Sequence, residues 1–193
     1  MKTITLILLL SACTASAQEF TTKIDGFLDI PWGATTDTVK KTFPSKARTR
    51  LDQIKSKPGE FEFTGGKFAK FKVRRFNLEF INDRFWNAHV RLEPVSKDHA
   101  KEHATFKQML TEKYGPPSSD EVRGGNLVTN WHVGTGPEEK ERIEIQSDPN
   151  GDGLKIMYAS DRLRKILQAG SAPVETPKKP KTISTAPGAK DDL

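Results

Sequence analysis

From residue 60 to residue 92 aromatic and β-branched residues alternate with charged ones, and a period of two is the signature of strands that bury one face. The alternation predicts strands over residues 60–64, 68–81 and 85–92. Between the last two stands Asn82-Asp83, a pair tolerant of positive φ, which makes a two-residue primed turn and hence a hairpin. That turn sets Phe76, Leu78 and Phe80 toward the same core as Ala88, Val90 and Leu92. Further up the strand Lys70, Lys72 and Arg74 share one face, while Phe71 and Val73 take the other.

Helical spacing frames these strands. A first helix is predicted over residues 36–43, with Thr35 as its cap, Asp37 at the positive end of the dipole, Val39 and Phe43 inward, and Pro44 as its stop. A second spans residues 97–114, with Ser96 as cap and Asp98 in the first turn. Its buried stripe is Phe106, Met109, Leu110 and Tyr114, and Gly115 followed by Pro116-Pro117 ends it. Strands follow over 127–133, 142–147 and 154–159, with Leu127, Thr129, Trp131 and Val133 on one face, and a short helix over 161–168 closes the series. The order gives two αβββ units in an α+β fold, with helices packed on one face of an antiparallel sheet, in a single domain over residues 25–169.

The ends have a different character. Lys2, the apolar run 4–10 and Ala15-Ser16-Ala17 make residues 1–17 a secretory signal peptide, and the run is shorter than the roughly 20 apolar residues a membrane span needs. Leu10-Ser11-Ala12-Cys13 also fits a lipobox, so a lipoprotein anchored through Cys13 is the alternative to soluble export; cutting before Cys13 leaves an unusually short signal, which favours the soluble form. Cys13 is the sole cysteine, so the domain holds itself together without disulfides. Residues 170–193 are rich in Pro, Lys, Thr and Ser, offer little to bury, and read as a disordered tail bearing Lys178, Lys179 and Lys181.

Several short stretches carry a resemblance. Gly26-Phe27-Leu28-Asp29-Ile30-Pro31-Trp32-Gly33 leading into a helix, Phe80-Ile81-Asn82-Asp83-Arg84-Phe85, Lys113-Tyr114-Gly115-Pro116-Pro117 and Trp131 together resemble a widespread, uncharacterised group of exported bacterial envelope proteins with an "iPWG" turn and a "KYG-P" helix end. The resemblance covers residues 26–160, implies the fold and an envelope address, and brings no catalytic signature. At the level of fold the pattern is similar also to small outer-membrane assembly lipoproteins and to the β-lactamase inhibitor protein, which are binding modules rather than enzymes.

Candidate chemistry is sparse. His99 and His103, four apart on the second helix, could hold a transition metal with Glu102, but no further ligand is visible and both fall on the stripe of Phe106 and Leu110. Residues 148–153 begin like a calcium loop, yet Ala159 stands where a bidentate Glu belongs, so a polar hairpin turn accounts for them. Glu60 and Glu62 share a strand face as surface carboxylates do. There is no nucleophile elbow, no His-Glu-x-x-His and no phosphate loop, and export argues against nucleic acid.

What remains is a binding reading. The net charge of +6, with Lys70, Lys72 and Arg74 on one sheet face, suits an anionic envelope surface or an acidic envelope protein. Trp32 either packs against the first helix or anchors an interface. The sequence therefore predicts a non-catalytic exported envelope protein that works by binding, in the periplasm or outside the cell, without a cofactor or transmembrane segment. A lipoprotein assisting an assembly or transport complex is the first alternative. A metal-binding protein or metal-dependent enzyme using His99 and His103 is the second.

Overall fold

Asn82 and Asp83 both adopt left-handed backbone (φ 50° and 61°), and the two longest strands fold back across them. The computed structural model describes residues 23–48, 54–95, 98–134, 140–147 and 153–170. Its elements are β1 (Gly26–Phe27), β2 (Ile30–Pro31), α1 (Thr36–Ala47), β3 (Ile54–Lys57), β4 (Glu60–Thr64), β5 (Lys67–Phe68), β6 (Phe71–Ile81) and β7 (Arg84–Leu92). There follow α2 (His99–Tyr114), β8 (Ser119–Arg123), β9 (Asn126–Val133), β10 (Glu141–Ser147), β11 (Leu154–Ser160) and α3 (Asp161–Ala169).

The main sheet runs β3-β4-β6-β7-β11-β10-β9-β8, with β5 paired to β6, and every pairing is antiparallel. It is two meanders, each introduced by a helix and joined through their last strands, where Ala88 faces Tyr158 and Val90 faces Ile156. The α+β class is as the pattern predicts, but the repeating unit is αββββ. The additional strands are β3 and β8, and β8 is exposed along its whole length, so no alternation announces it.

α1 and α2 cover one face. Phe43 of α1 is fully buried among Phe63 and Phe76, with ring centroids 4.7 and 5.1 Å away. α2 presents His103, Phe106 and Leu110 to β9, β10 and β11, while Met109 and Tyr114 are half-buried at the margin. α3 lies at the hairpin end of the sheet against β6, β7 and β10, where the Arg164 guanidinium sits 5.2 Å over the Trp86 ring. Among the described residues no helix is long and apolar enough to cross a membrane.

Three local expectations are corrected. Pro44 does not stop α1: the helix continues to Ala47, and Arg48 (φ 53°) ends it by donating its N–H to the Pro44 carbonyl. Proline forgoes one helical hydrogen bond, which the burial of Pro44 and Ala47 in the last turn offsets. α2 starts at His99, two residues later than predicted, because the Asp98 carboxylate caps it by accepting from the Lys101 N–H at 3.0 Å. Ser96, the predicted cap, lies outside the described residues. The strand predicted over 68–81 is interrupted by a turn at Ala69 (φ 51°), and Arg74 is an extra residue, since Val73 pairs with Leu92 and Arg75 with Arg91. That bulge lets Val73 and Phe76 both face the core.

Residues 1–22 and 171–193, with the signal peptide, Cys13 and the lysines of the tail, lie outside the described residues, as do residues 148–152 of the calcium-like loop.

Phe43→Ala removes a ring held on three sides by aromatic neighbours. A loss of about 3–5 kcal/mol is expected, read as a lower urea midpoint at unchanged slope; a loss below about 1 kcal/mol would mean that α1 is not seated as described.

Candidate functional site

Chain geometry at the N-terminal end builds a cleft. Leu28 and Asp29 (φ 49° and 60°) turn β1 back on β2, and a Cβ on Gly26 would lie 2.0 Å from the Ile30 carbonyl oxygen, so only glycine allows the approach. The hairpin is then clipped down. The Trp32 indole N–H donates to the Ile24 carbonyl at 2.9 Å, its ring lies 5.0 Å from Phe85, and its backbone N–H reaches the Asp25 carbonyl at 2.9 Å. A second tryptophan secures the opposite wall: the Trp131 indole N–H donates to the Gly115 carbonyl at 3.0 Å, just past the end of α2.

Between these clips opens a cleft of about 420 Å³. Its floor is aromatic: Phe27 stacks on Phe68 at 5.7 Å and meets Tyr158 at 5.3 Å, and the Tyr158 hydroxyl is hydrogen-bonded to Tyr114. Burial holds the Tyr158 phenol well above its ordinary range, so it stays neutral. The rim carries charges of both signs, with Lys23, Asp25, Asp29 and Lys113. Lys23 pairs with Asp25 at 2.8 Å and Asp29 with Lys46 at 2.9 Å; these exposed pairs are weak and exchange readily with an incoming charge.

Glu141, the first residue of β10, is buried nearby and feels the charge of Asp25. The Ser160 hydroxyl donates to Oε1 at 3.0 Å, while Oε2 has no partner. Burial pushes this carboxyl up to about 7, against the pull of the Ser160 hydrogen bond and Arg162, and the acidic neighbours Asp161 and Asp25 add to the rise.

The residues singled out by sequence fall into separate places. Trp32 is half-buried and packs on the core, with its indole N–H on the Ile24 carbonyl. Lys70, Lys72 and Arg74 do not form one strand face, because Lys70 sits in the turn before β6, 5.6 Å over the Phe71 ring, and Arg74 is the bulged residue. His103 is buried, 3.3 Å from the Thr129 hydroxyl, and burial lowers its pKa below the usual range. His99 is half-buried one turn away, and among the described residues no three His, Cys, Asp or Glu side chains gather to hold a metal. Glu60 accepts from the Asn77 amide at 2.8 Å and Glu62 pairs with Arg75 at 3.3 Å, so each is engaged by the neighbouring strand.

The sequence did not anticipate two features. The cleft floor joins Phe27, Phe68 and Tyr158, which only the tertiary fold brings together. On the sheet face away from α1 and α2, His89 Nε2 lies 3.2 Å from Glu79 and 2.9 Å from the Asn87 amide. The hydrogen bond from His89 holds the Glu79 carboxyl below its ordinary range. The turn signal at Asn82-Asp83 does not foretell that network, because an unbroken two-residue hairpin would set Glu79 opposite Trp86, and the irregularity at Trp86 sets it opposite Asn87 instead.

No family model, curated protein or solved structure matches this chain.

Glu141 gives the domain a definite pH dependence. Between about pH 4.5 and 7 the unfolded chain has released this proton and the folded chain retains it, so rising pH removes stability across that window and no more above it. Glu141→Gln abolishes the effect. Measured by urea unfolding, the variant-minus-wild-type difference should grow by about 1–3 kcal/mol from below the window to above it, a discounted value for a shift of this size. Taking the difference cancels the opposite slope from His103; parallel profiles would show that Glu141 titrates as an exposed carboxylate.

Proposed function

We propose that this chain is an exported, non-catalytic binding module of the bacterial envelope, whose partner docks in the cleft between the β1–β2 hairpin and the end of α2. The observation that carries the reading is convergence. Residues 26–31 and Lys113-Tyr114, parts of the two most distinctive stretches of the sequence, line one cavity although the whole first unit separates them. Its volume is in the range of ligand sites, and its aromatic floor supplies contact area at little cost in rotamer entropy.

The rim, with charges of both signs, favours a partner that presents an apolar or aromatic side chain flanked by charges of both signs, as an envelope protein does. The envelope address rests on the leader in residues 1–17 and on the resemblance of the Pro31-Trp32-Gly33 and Lys113-Tyr114-Gly115 stretches to exported envelope proteins. A lipid on Cys13 would add an anchor and leave the cleft as it is; the intact mass of the protein recovered from the envelope separates the two forms.

The test is site-directed photo-cross-linking in the native host, with the reactive side chain at Lys113 on the rim or at Val122, an exposed position on β8. A single adduct of defined mass is expected from position 113 and none from 122, and Asp29→Asn, which keeps a residue that tolerates left-handed backbone, should reduce its yield several-fold with little change in the melting temperature. Equal labelling from both positions, or none from 113 in folded protein, would overturn the reading.

A further inference from the structure

α3 is amphipathic, yet none of its side chains is fully buried. Its contacts show which side meets the domain. The Leu163 side chain lies 3.8 Å from where a Cβ on Gly33 would stand, the Leu167 carbonyl accepts from the Asn82 amide at 3.3 Å, and the Arg164 guanidinium covers the Trp86 ring. Arg162, Lys165, Ile166 and Ala169, at positions i, i+3, i+4 and i+7, form a second stripe on the other side, and all four are exposed.

Positive charge and apolar surface coincide on this stripe. Ile166 is 57% exposed. Two other large apolar side chains stand out among the described residues, and each neighbours a carboxylate: Glu102 accepts from the Val95 N–H at 2.6 Å, and Glu121 precedes Val122. Ile166 has Arg162 and Lys165 beside it instead, with Lys140 across an open hollow of about 390 Å³. The acid on that hollow is Asp161, which pairs with Arg142 at 3.3 Å. Surface ion pairs leave the net sign of a face as it is, and a charged plane responds to that sign. The chain that continues from α3 carries Lys178, Lys179 and Lys181 against Glu175 over residues 171–181.

We propose that the outward stripe of α3 docks on an anionic lipid bilayer. The helix lies in the plane of the surface, Ile166 enters between the headgroups, and Arg162, Lys165 and Lys140 rest on their phosphates. A bilayer fits better than a small anion, because the cations spread along an open surface around an apolar side chain rather than converging on a point. The stripe shares no residue with the cleft and stands or falls without it.

The experiment is sedimentation with large vesicles of phosphatidylglycerol and phosphatidylcholine in equal parts, using the chain from Gln18 onward so that the apolar run of the leader plays no part. Partition onto these vesicles is expected, none onto pure phosphatidylcholine, and a several-fold fall as salt rises from about 0.05 M to about 0.5 M. Arg162→Gln with Lys165→Gln should lower the partition coefficient at least about tenfold, and Ile166→Ser should lower it several-fold at unchanged charge, both with little change in the melting temperature. Lys67→Gln with Lys101→Gln removes the same charge from the end of β6 and β7 away from the hairpin and should leave partition within about twofold. If the double variant on α3 fails to fold, Ile166→Ser decides alone. Equal partition onto pure phosphatidylcholine, wild-type partition in the α3 variants, or an equal loss in the control pair would each overturn the proposal. Absence of partition onto the mixed vesicles would overturn it too, and a protein adduct from a photo-reactive side chain at position 169 in the native host would then assign the stripe to a protein partner.

Discussion

The register of the β6–β7 hairpin is the constraint on which the remaining structure depends. Two left-handed residues, Asn82 and Asp83, start it with Ile81 opposite Arg84 and Phe80 opposite Phe85, and an extra residue at Trp86 shifts it by one position for the rest of the hairpin. On the inner face it pairs Phe76 with Val90 and Leu78 with Ala88, all fully buried. On the outer face it pairs Arg75 with Arg91 and Glu79 with Asn87. The same turn positions α1, because the Asp83 carboxylate accepts from the Thr36 hydroxyl and, at 3.0 Å, from the Thr36 N–H at the start of that helix. Those bonds, the hydroxyl first, hold the Asp83 carboxyl below its ordinary range. At the base of the hairpin Phe85 exchanges backbone hydrogen bonds with Gly33 and Ala34, at 2.7 and 2.9 Å, which ties in the segment leading from β2 to α1.

From that hairpin the architecture follows by sharing. An αββββ unit covers its sheet with a single helix and leaves its last strand open; joining β7 to β11 closes both edges at once and merges the inner faces under α1 and α2. Ala88, with no bulk beyond Cβ, stands opposite Tyr158 at this seam, which leaves room for the ring between the two halves. Tyr158 therefore belongs to the seam and to the cleft floor together. The cleft is a property of the joined units: its floor comes from β1, β5 and β11, and its far wall from the end of α2.

Much of this was legible in sequence where one physical signal decided the outcome. The β6–β7 hairpin, the strands β9 to β11 and the stripe of α2 all follow from periodicity and turn chemistry. The bulge was also written there. Phe71 and Val73 are odd-numbered and Phe76, Leu78 and Phe80 even, so no regular strand can bury both sets, and the reading of Lys70, Lys72 and Arg74 as one face overlooked that change of phase. Pro44 misled because propensity was weighed without the burial that offsets it. β8 left no trace, since an exposed edge strand has no apolar period. The cleft was invisible for another reason: its aromatics lie in segments that local pattern does not connect, although the stretches lining it stood out individually.

The fold prepares the cleft before anything enters it. The cleft is held by donors that have found their acceptors, Trp32 to Ile24 and Trp131 to Gly115, so its walls keep their shape whether or not it is filled. The sheet carries both walls on one frame: its strands hydrogen-bond in one unbroken path from β3 to β8, and close-packed core side chains such as Phe76, Leu78 and Ile156 resist displacement of the floor above them.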